Sequence, residues 1–150
     1  MFKMNRKIGY ALISLKHMRR KAPGQLTSAK EICDMYHTPF DPTSRCLQLM
    51  AQAGILRAEQ GAHGGYQILK DLSKVSLKDL SEIIAGPIRL ANCLQGKSQQ
   101  CELTKSCNVI SPILILNEKI NKLFKTTRII DLVEGRHQAE KAIKDGKTTG

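Results

Sequence analysis

Between Gly54 and Leu69 the chain changes its hydrophobic period, and this change limits the fold more than any other feature. Ile55 to Glu59 and Tyr66 to Leu69 read as two short strands. The six residues between them, Gln60-Gly61-Ala62-His63-Gly64-Gly65, include three glycines. Glycine admits positive φ without steric cost and leaves backbone amides accessible, so the segment predicts a hairpin. The residues before it read as helices. The first spans about 5–21, with Ile8, Leu12, Leu15 and Met18 on one face, and is stopped by Ala22-Pro23-Gly24. A second begins at Ser28, which has capping-box spacing to Glu31, and runs through Ile32 to about Tyr36. His37-Thr38-Pro39 interrupts it, because a residue before proline is pushed to extended backbone. A third helix is expected from an Asp41 N-cap and Pro42 in the first turn, burying Leu47 and Met50 and ending at Ala53-Gly54. Two short helices across a tight turn, packed on a first helix and followed by a hairpin, describe a winged helix-turn-helix. The expected class is mainly α with a small β-hairpin wing and one long additional helix.

Beyond the hairpin, Ser76 and Asp79 open a capped helix, Leu77 to Ala85, stopped by Gly86-Pro87. Ser111-Pro112 launches a long helix in which Ile113, Leu116, Ile120, Leu123 and Thr127 follow a 3-4 spacing. The small remaining domain offers little to cover such a stripe, which therefore points to a partner helix and a homodimer. A short segment, Ile129 to Val133, follows. The expected organisation is a DNA-binding unit over 1–87, a cysteine loop over 88–108, a dimerisation region over 109–134 and a charged tail over 135–150.

Charge suggests the partner. Lys and Arg number 24 against 13 acids, a net charge of +11. Each Lys or Arg placed on a phosphate releases condensed counterions, so this excess favours double-stranded DNA. In the third helix Ser44, Arg45 and Gln48 lie away from Leu47 and Met50 and are the expected base readers. Arg45 suits a bidentate contact to guanine, and Gln48 one to adenine. Arg57 and His63 are the candidates in the wing, and Lys3, Arg6 and Lys7 could hold phosphates. No Ser-His-Asp ordering, phosphate loop or paired-carboxylate motif is present, so an enzyme is not expected.

The five cysteines are odd in number and no secretory signal precedes them. A disulfide framework is therefore not expected, and a reducing cytoplasm is the natural setting. No apolar run reaches the roughly 18–20 residues a membrane span needs. The first 30 residues lack an acid, as a transit peptide would, yet their apolar face is one that a folded domain buries. Cys33 and Cys46 fall in amphipathic helices as small packing residues. Cys93, Cys101 and Cys107 instead share one polar loop, where collected thiolates suit a soft metal centre. Zinc with one added histidine, or a thiol switch closing a disulfide, are the alternatives.

The chain resembles the winged-helix iron–sulfur repressors of the IscR, NsrR and RirA group. The resemblance is carried by Tyr10-Ala11-Leu12, Ala53-Gly54-Ile55-Leu56, Gly61-Ala62-His63-Gly64-Gly65-Tyr66, the Leu77 to Gly86 segment and the three loop cysteines. It implies a homodimer on a palindromic operator, with an iron–sulfur cluster on Cys93, Cys101 and Cys107 that senses iron, redox state or nitric oxide. A [4Fe-4S] cluster with an exchangeable site is the first expectation and a [2Fe-2S] cluster the second. The cysteine spacing is most similar to the iron-responsive members. Three positions depart from the group. Gly9 stands where nitric-oxide sensors place an acidic ligand, and Ile110 where cluster-supply regulators place a histidine. Gln60 stands where the wing usually has arginine. Glu102, Asn108, Asn5 and His17 are the remaining candidates for a fourth ligand.

Overall fold

Helix α1, Arg6–Arg19, starts where the Asn5 side chain accepts a hydrogen bond from the Lys7 amide at 3.0 Å. The computed structural model describes residues 4–91, 94, 102–103 and 105–135. After α1 come α2 (Ala29–Tyr36), α3 (Phe40–Gln52), β1 (Leu56–Glu59) and β2 (Gly65–Ile68). A short 3-10 turn at Leu72–Lys74 leads into α4 (Leu77–Ala85), and α5 (Ile110–Thr126) and α6 (Ile129–Glu134) complete the described chain. The architecture is mainly helical with one two-stranded antiparallel sheet.

The expected face of α1 is the centre of the core. Ile8, Leu15 and Met18 are buried there, with Ala11 added and Leu12 at the margin. Against them pack Cys46, Leu47 and Met50 of α3, Leu80 and Ile84 of α4, and Ile129 and Val133 of α6. Burying each such aliphatic side chain is worth about 1.5–3 kcal/mol.

Between α2 and α3 the chain turns through His37, a non-glycine residue at φ 54°. One expectation is corrected at this corner. The N-cap of α3 is Pro39, whose extended backbone supplies the entry geometry, and Asp41 lies inside the first turn. No side chain caps this end. Instead the Thr43 hydroxyl donates to Thr38 Oγ1 at 3.0 Å, lacing the turn to α3. Helix α4 does carry the expected reciprocal cap: Asp79 N–H to Ser76 Oγ and Ser76 N–H to Asp79 Oδ2, both 3.0 Å. Those hydrogen bonds from Ser76 hold the Asp79 carboxyl below the ordinary carboxylate range.

The hairpin pairs Leu56 with Ile68 and Glu59 with Gly65. It is sewn to the helical body by Thr27, which exchanges backbone hydrogen bonds with Tyr66 at 2.8 and 2.9 Å. Gly64 is required by space, because a Cβ there would lie 2.2 Å from the Glu59 carbonyl oxygen. A second backbone bridge joins the segment entering α4 to the turn between α5 and α6. Leu77 N–H donates to the Thr127 carbonyl at 2.8 Å, and Ile129 N–H to the Val75 carbonyl at 2.9 Å.

The long helix divides its expected stripe. Ile113 and Ile120 are half-buried on the same side as Phe124, which packs on the core. Leu116 and Leu123 point outward together with Leu114 and Ile115, and these four are 44–61% exposed. Thr127 lies beyond the helix as its C-cap.

Gly64→Ala is expected to destabilise the protein by about 2 kcal/mol and to loosen the hairpin. Urea unfolding read by circular dichroism, with hydrogen exchange at the Tyr66 amide, checks this.

Candidate nucleic-acid interface and cysteine loop

Burial of Thr43, Cys46, Leu47 and Met50 fixes the rotation of α3, so the opposite side must face outward. Arg45 and Gln48 are exposed there as expected, and Ser44 is half-buried at the flank. The outward row is completed by Asp41 and Gln52, both exposed, giving Asp41, Arg45, Gln48 and Gln52 at helical spacing. Asp41 was hidden from sequence reasoning by its expected capping role, and Gln52 by its place at the helix end. Burial of Cys46 pushes its thiol up, which suits a packing residue.

In the wing His63 is exposed at the loop between the strands. Arg57 is also exposed, but its guanidinium donates to Glu59 Oε1 at 2.5 Å on the same face of β1. Its charge is thus partly neutralised by its own strand. At the start of α1, Arg6 and Lys7 are exposed, and Lys3 lies outside the described residues.

A polar network absent from the sequence-based expectations holds α2, the helix preceding α3, against α1. His17 is buried, and its Nε2 lies 2.7 Å from Glu31 Oε1. Its Nδ1 lies 3.0 Å from the Tyr36 hydroxyl. The tautomer with Nε2–H donating to the carboxylate and Nδ1 accepting from Tyr36 satisfies all three groups. Lys21 adds an ammonium 2.6 Å from Glu31 Oε1, and also donates to the Leu26 carbonyl at 2.8 Å. Burial alone would raise the Glu31 carboxyl, but the hydrogen bonds from Lys21 and His17 outweigh it and hold it below its ordinary value. Pairing of residues 14 positions apart leaves no local signature in the sequence.

Of the loop cysteines, Cys107 is described: a half-buried free thiol three residues before α5. Cys93 and Cys101 lie outside the described residues. The other end of the loop is fastened to α5 by two asparagines. Leu90 N–H donates to Asn117 Oδ1 at 3.1 Å, and Asn121 Nδ2 donates to the Ile88 carbonyl at 3.3 Å. Among the fourth-ligand candidates, His17 has both ring nitrogens engaged and cannot coordinate without breaking that network. Glu102 and Asn108 are exposed near Cys107 in sequence, and Asn5 caps α1.

A helix pair with an outward row on its second member, followed by a two-stranded hairpin, defines a winged helix-turn-helix DNA-binding regulator. Residues 4–135 match the Rrf2 model, described as an iron-dependent transcriptional regulator, and the chain belongs to this family of DNA-binding transcriptional regulators. Its members regulate transcription rather than catalyse reactions. An rrf2-like helix-turn-helix regulator of Rhodobacter capsulatus is 27% identical over 150 residues, covering 95% of this chain and 99% of its own. CymR, the global cysteine regulator of B. subtilis, superposes with a TM-score of 0.67 at 21% identity, covering 91% of this chain and 99% of that one. IscR of T. potens superposes with a TM-score of 0.61 at 15% identity, covering 99% and 94%. No helix among the described residues is long and apolar enough to cross a membrane.

A carboxylate held below its ordinary pKa stabilises the folded state above that value and loses its contribution as pH falls through the lowered one. Stability is therefore expected to fall as acidification passes below about 4.5, the ordinary Glu31 value. Glu31→Gln is expected to flatten that part of the profile, measured by urea unfolding across pH.

Proposed function

We propose that this protein is a cytoplasmic homodimeric repressor whose grip on a palindromic operator depends on an iron–sulfur cluster held by Cys93, Cys101 and Cys107. The observation that carries this reading is the attachment of the cysteine loop. One end is hydrogen-bonded to Asn117 and Asn121 of α5, and Cys107 at the other end leads directly into that helix. The donor set fits the group: three thiolates supply three iron corners, and a carboxylate, amide or solvent can take the fourth. When bound, such a cluster supplies a centre whose loss or oxidation reports iron, redox state or nitric oxide.

The chain's own residues connect the loop to DNA. Asn117 and Asn121 tie it to α5, α5 packs on α4, and α4 packs on α1 and α3. The exposed Leu114, Ile115, Leu116 and Leu123 are a surface for the same helix of a second copy, which would set the distance between two α3 helices. Arg45 and Gln48 then read bases, with Ser44 at the flank and His63 and Arg57 in the wing. Holo and apo forms favour different spacings of half-sites, a population shift between two arrangements. The second reading is a zinc-bound or thiol-switch regulator, which the free half-buried thiol of Cys107 also serves.

Anaerobic purification followed by iron, sulfide and zinc analysis separates these. Iron and acid-labile sulfide in matching amounts support the cluster. Stoichiometric zinc, or neither metal after reconstitution, replaces it with the second reading. Cys107→Ser is expected to abolish the bound iron and the iron dependence of operator affinity, and unchanged values in both Cys101→Ser and Cys107→Ser sink the proposal. Arg45→Ala is expected to weaken operator binding by about 1–3 kcal/mol and relax the preference for one guanine, measured by fluorescence anisotropy on single-base variants.

A further inference from the structure

We infer that Asp41 is a specificity-determining residue, a carboxylate that selects cytosine in the base pairs beside the guanine read by Arg45. This rests on the reading of α3 as the helix that enters the major groove. With Pro39 as the N-cap, Asp41 has no capping task. It is exposed in the first turn, at the leading end of the row formed with Arg45, Gln48 and Gln52. Among the described residues no hydrogen bond or ion pair engages it. Arg45, four residues on and on the same face, also has no ion-pair partner among the described residues.

An unpaired carboxylate aimed at DNA is repelled by every phosphate, so its place in a chain of net charge +11 must be explained by something other than affinity. Its placement suits the base edges. In the major groove guanine presents two acceptors, thymine one acceptor and a methyl, and adenine a donor beside the N7 acceptor. Guanine and thymine therefore meet a carboxylate with acceptors alone, and adenine offers its N6 donor only with the N7 lone pair beside it. Cytosine presents the N4 amino donor, which a carboxylate accepts well. Side chains four residues apart on a helix are about 5–6 Å apart, and successive base pairs about 3.4 Å. Asp41 and Arg45 therefore address pairs one or two steps apart. Arg45 supplies attraction and a guanine contact, while Asp41 rejects sites lacking a nearby cytosine.

The test uses the full chain and DNA selected from a random pool by the wild-type protein, Asp41→Ala, Asp41→Asn and Arg45→Ala. The wild type is expected to enrich a half-site with cytosine one or two pairs from a guanine. Asp41→Ala should lose the cytosine preference, with about a tenfold drop in discrimination there, while its affinity for random DNA stays equal or rises. Asp41→Asn should shift that position toward adenine, which an amide can contact at both N6 and N7. Arg45→Ala should relax the guanine and leave the cytosine. Thermal unfolding of each variant accompanies the selection, because a first-turn acid also stabilises a helix N-terminus. A lower melting temperature with unchanged base preferences assigns Asp41 to helix stability alone and overturns the inference. Equal weakening on all sequences does so too. If the wild type enriches no sequence, or no α3 variant changes any preference, the reading of α3 itself fails, and this inference with it.

Discussion

Helix α1 buries Ile8, Ala11, Leu15 and Met18 along one side, and α3, α4 and α6 all close onto it. The helix-turn-helix arrives through α3, the entry to the cysteine loop through α4, and the end of the long helix through α6. Apolar burial sets these positions, because the charged contacts at the margins are weak. The exposed pair between Arg19 of α1 and Glu134 of α6 belongs to a class worth about 0–1 kcal/mol. A truncation such as Leu to Ala in the core costs about 2–5 kcal/mol. The orientation of α3 and that of the long helix are thus referred to the same buried surface.

Polar contacts then refine what burial positions. The His17, Glu31, Tyr36 and Lys21 network joins α1 to α2 where few apolar side chains meet, since Ile32 is the one buried residue of α2. Each donor and acceptor has a partner, so the desolvation cost of a buried imidazole is offset by hydrogen bonds that hold only in one arrangement. The Thr43–Thr38 contact ties the turn that leaves α2 to α3. A short helix with one core residue is held in this way to α1 and, through that turn, to α3.

Much of this was legible in the sequence because its determinants are local. The glycine hairpin, the Ser76–Asp79 cap, the buried face of α1 and the outward placement of Arg45 and Gln48 follow from spacing. The errors have physical causes. Asp41 has the right chemistry for an N-cap, but Pro39, two residues earlier, already has the required backbone. The stripe on α5 has a single period, yet the helix packs one edge on its own domain and exposes the other, a division that depends on where α4 lies. The Arg57–Glu59 pair was missed because neighbours on one face of a strand compete with any external partner. The network around His17 and the asparagine contacts of α5 join residues far apart in sequence, and no local pattern encodes them.

The backbone bridge at Thr127 has a mechanical consequence. Its two hydrogen bonds fix the C-terminal end of α5 to the segment entering α4, while Cys107 lies at the opposite end. A helix of 17 residues is about 25 Å long. With the bridge at residue 127 as pivot, a swing of about 10° against its packing on α4 would carry the Cys107 end through about 4 Å. Under the proposed mechanism, a rearrangement beside Cys107 would swing α5 about residue 127 rather than slide it along its axis. The place of the bridge at residue 127 would then set how far the cysteine end travels for a given rotation, and so how strongly a small change there could alter a half-site spacing of about 34 Å.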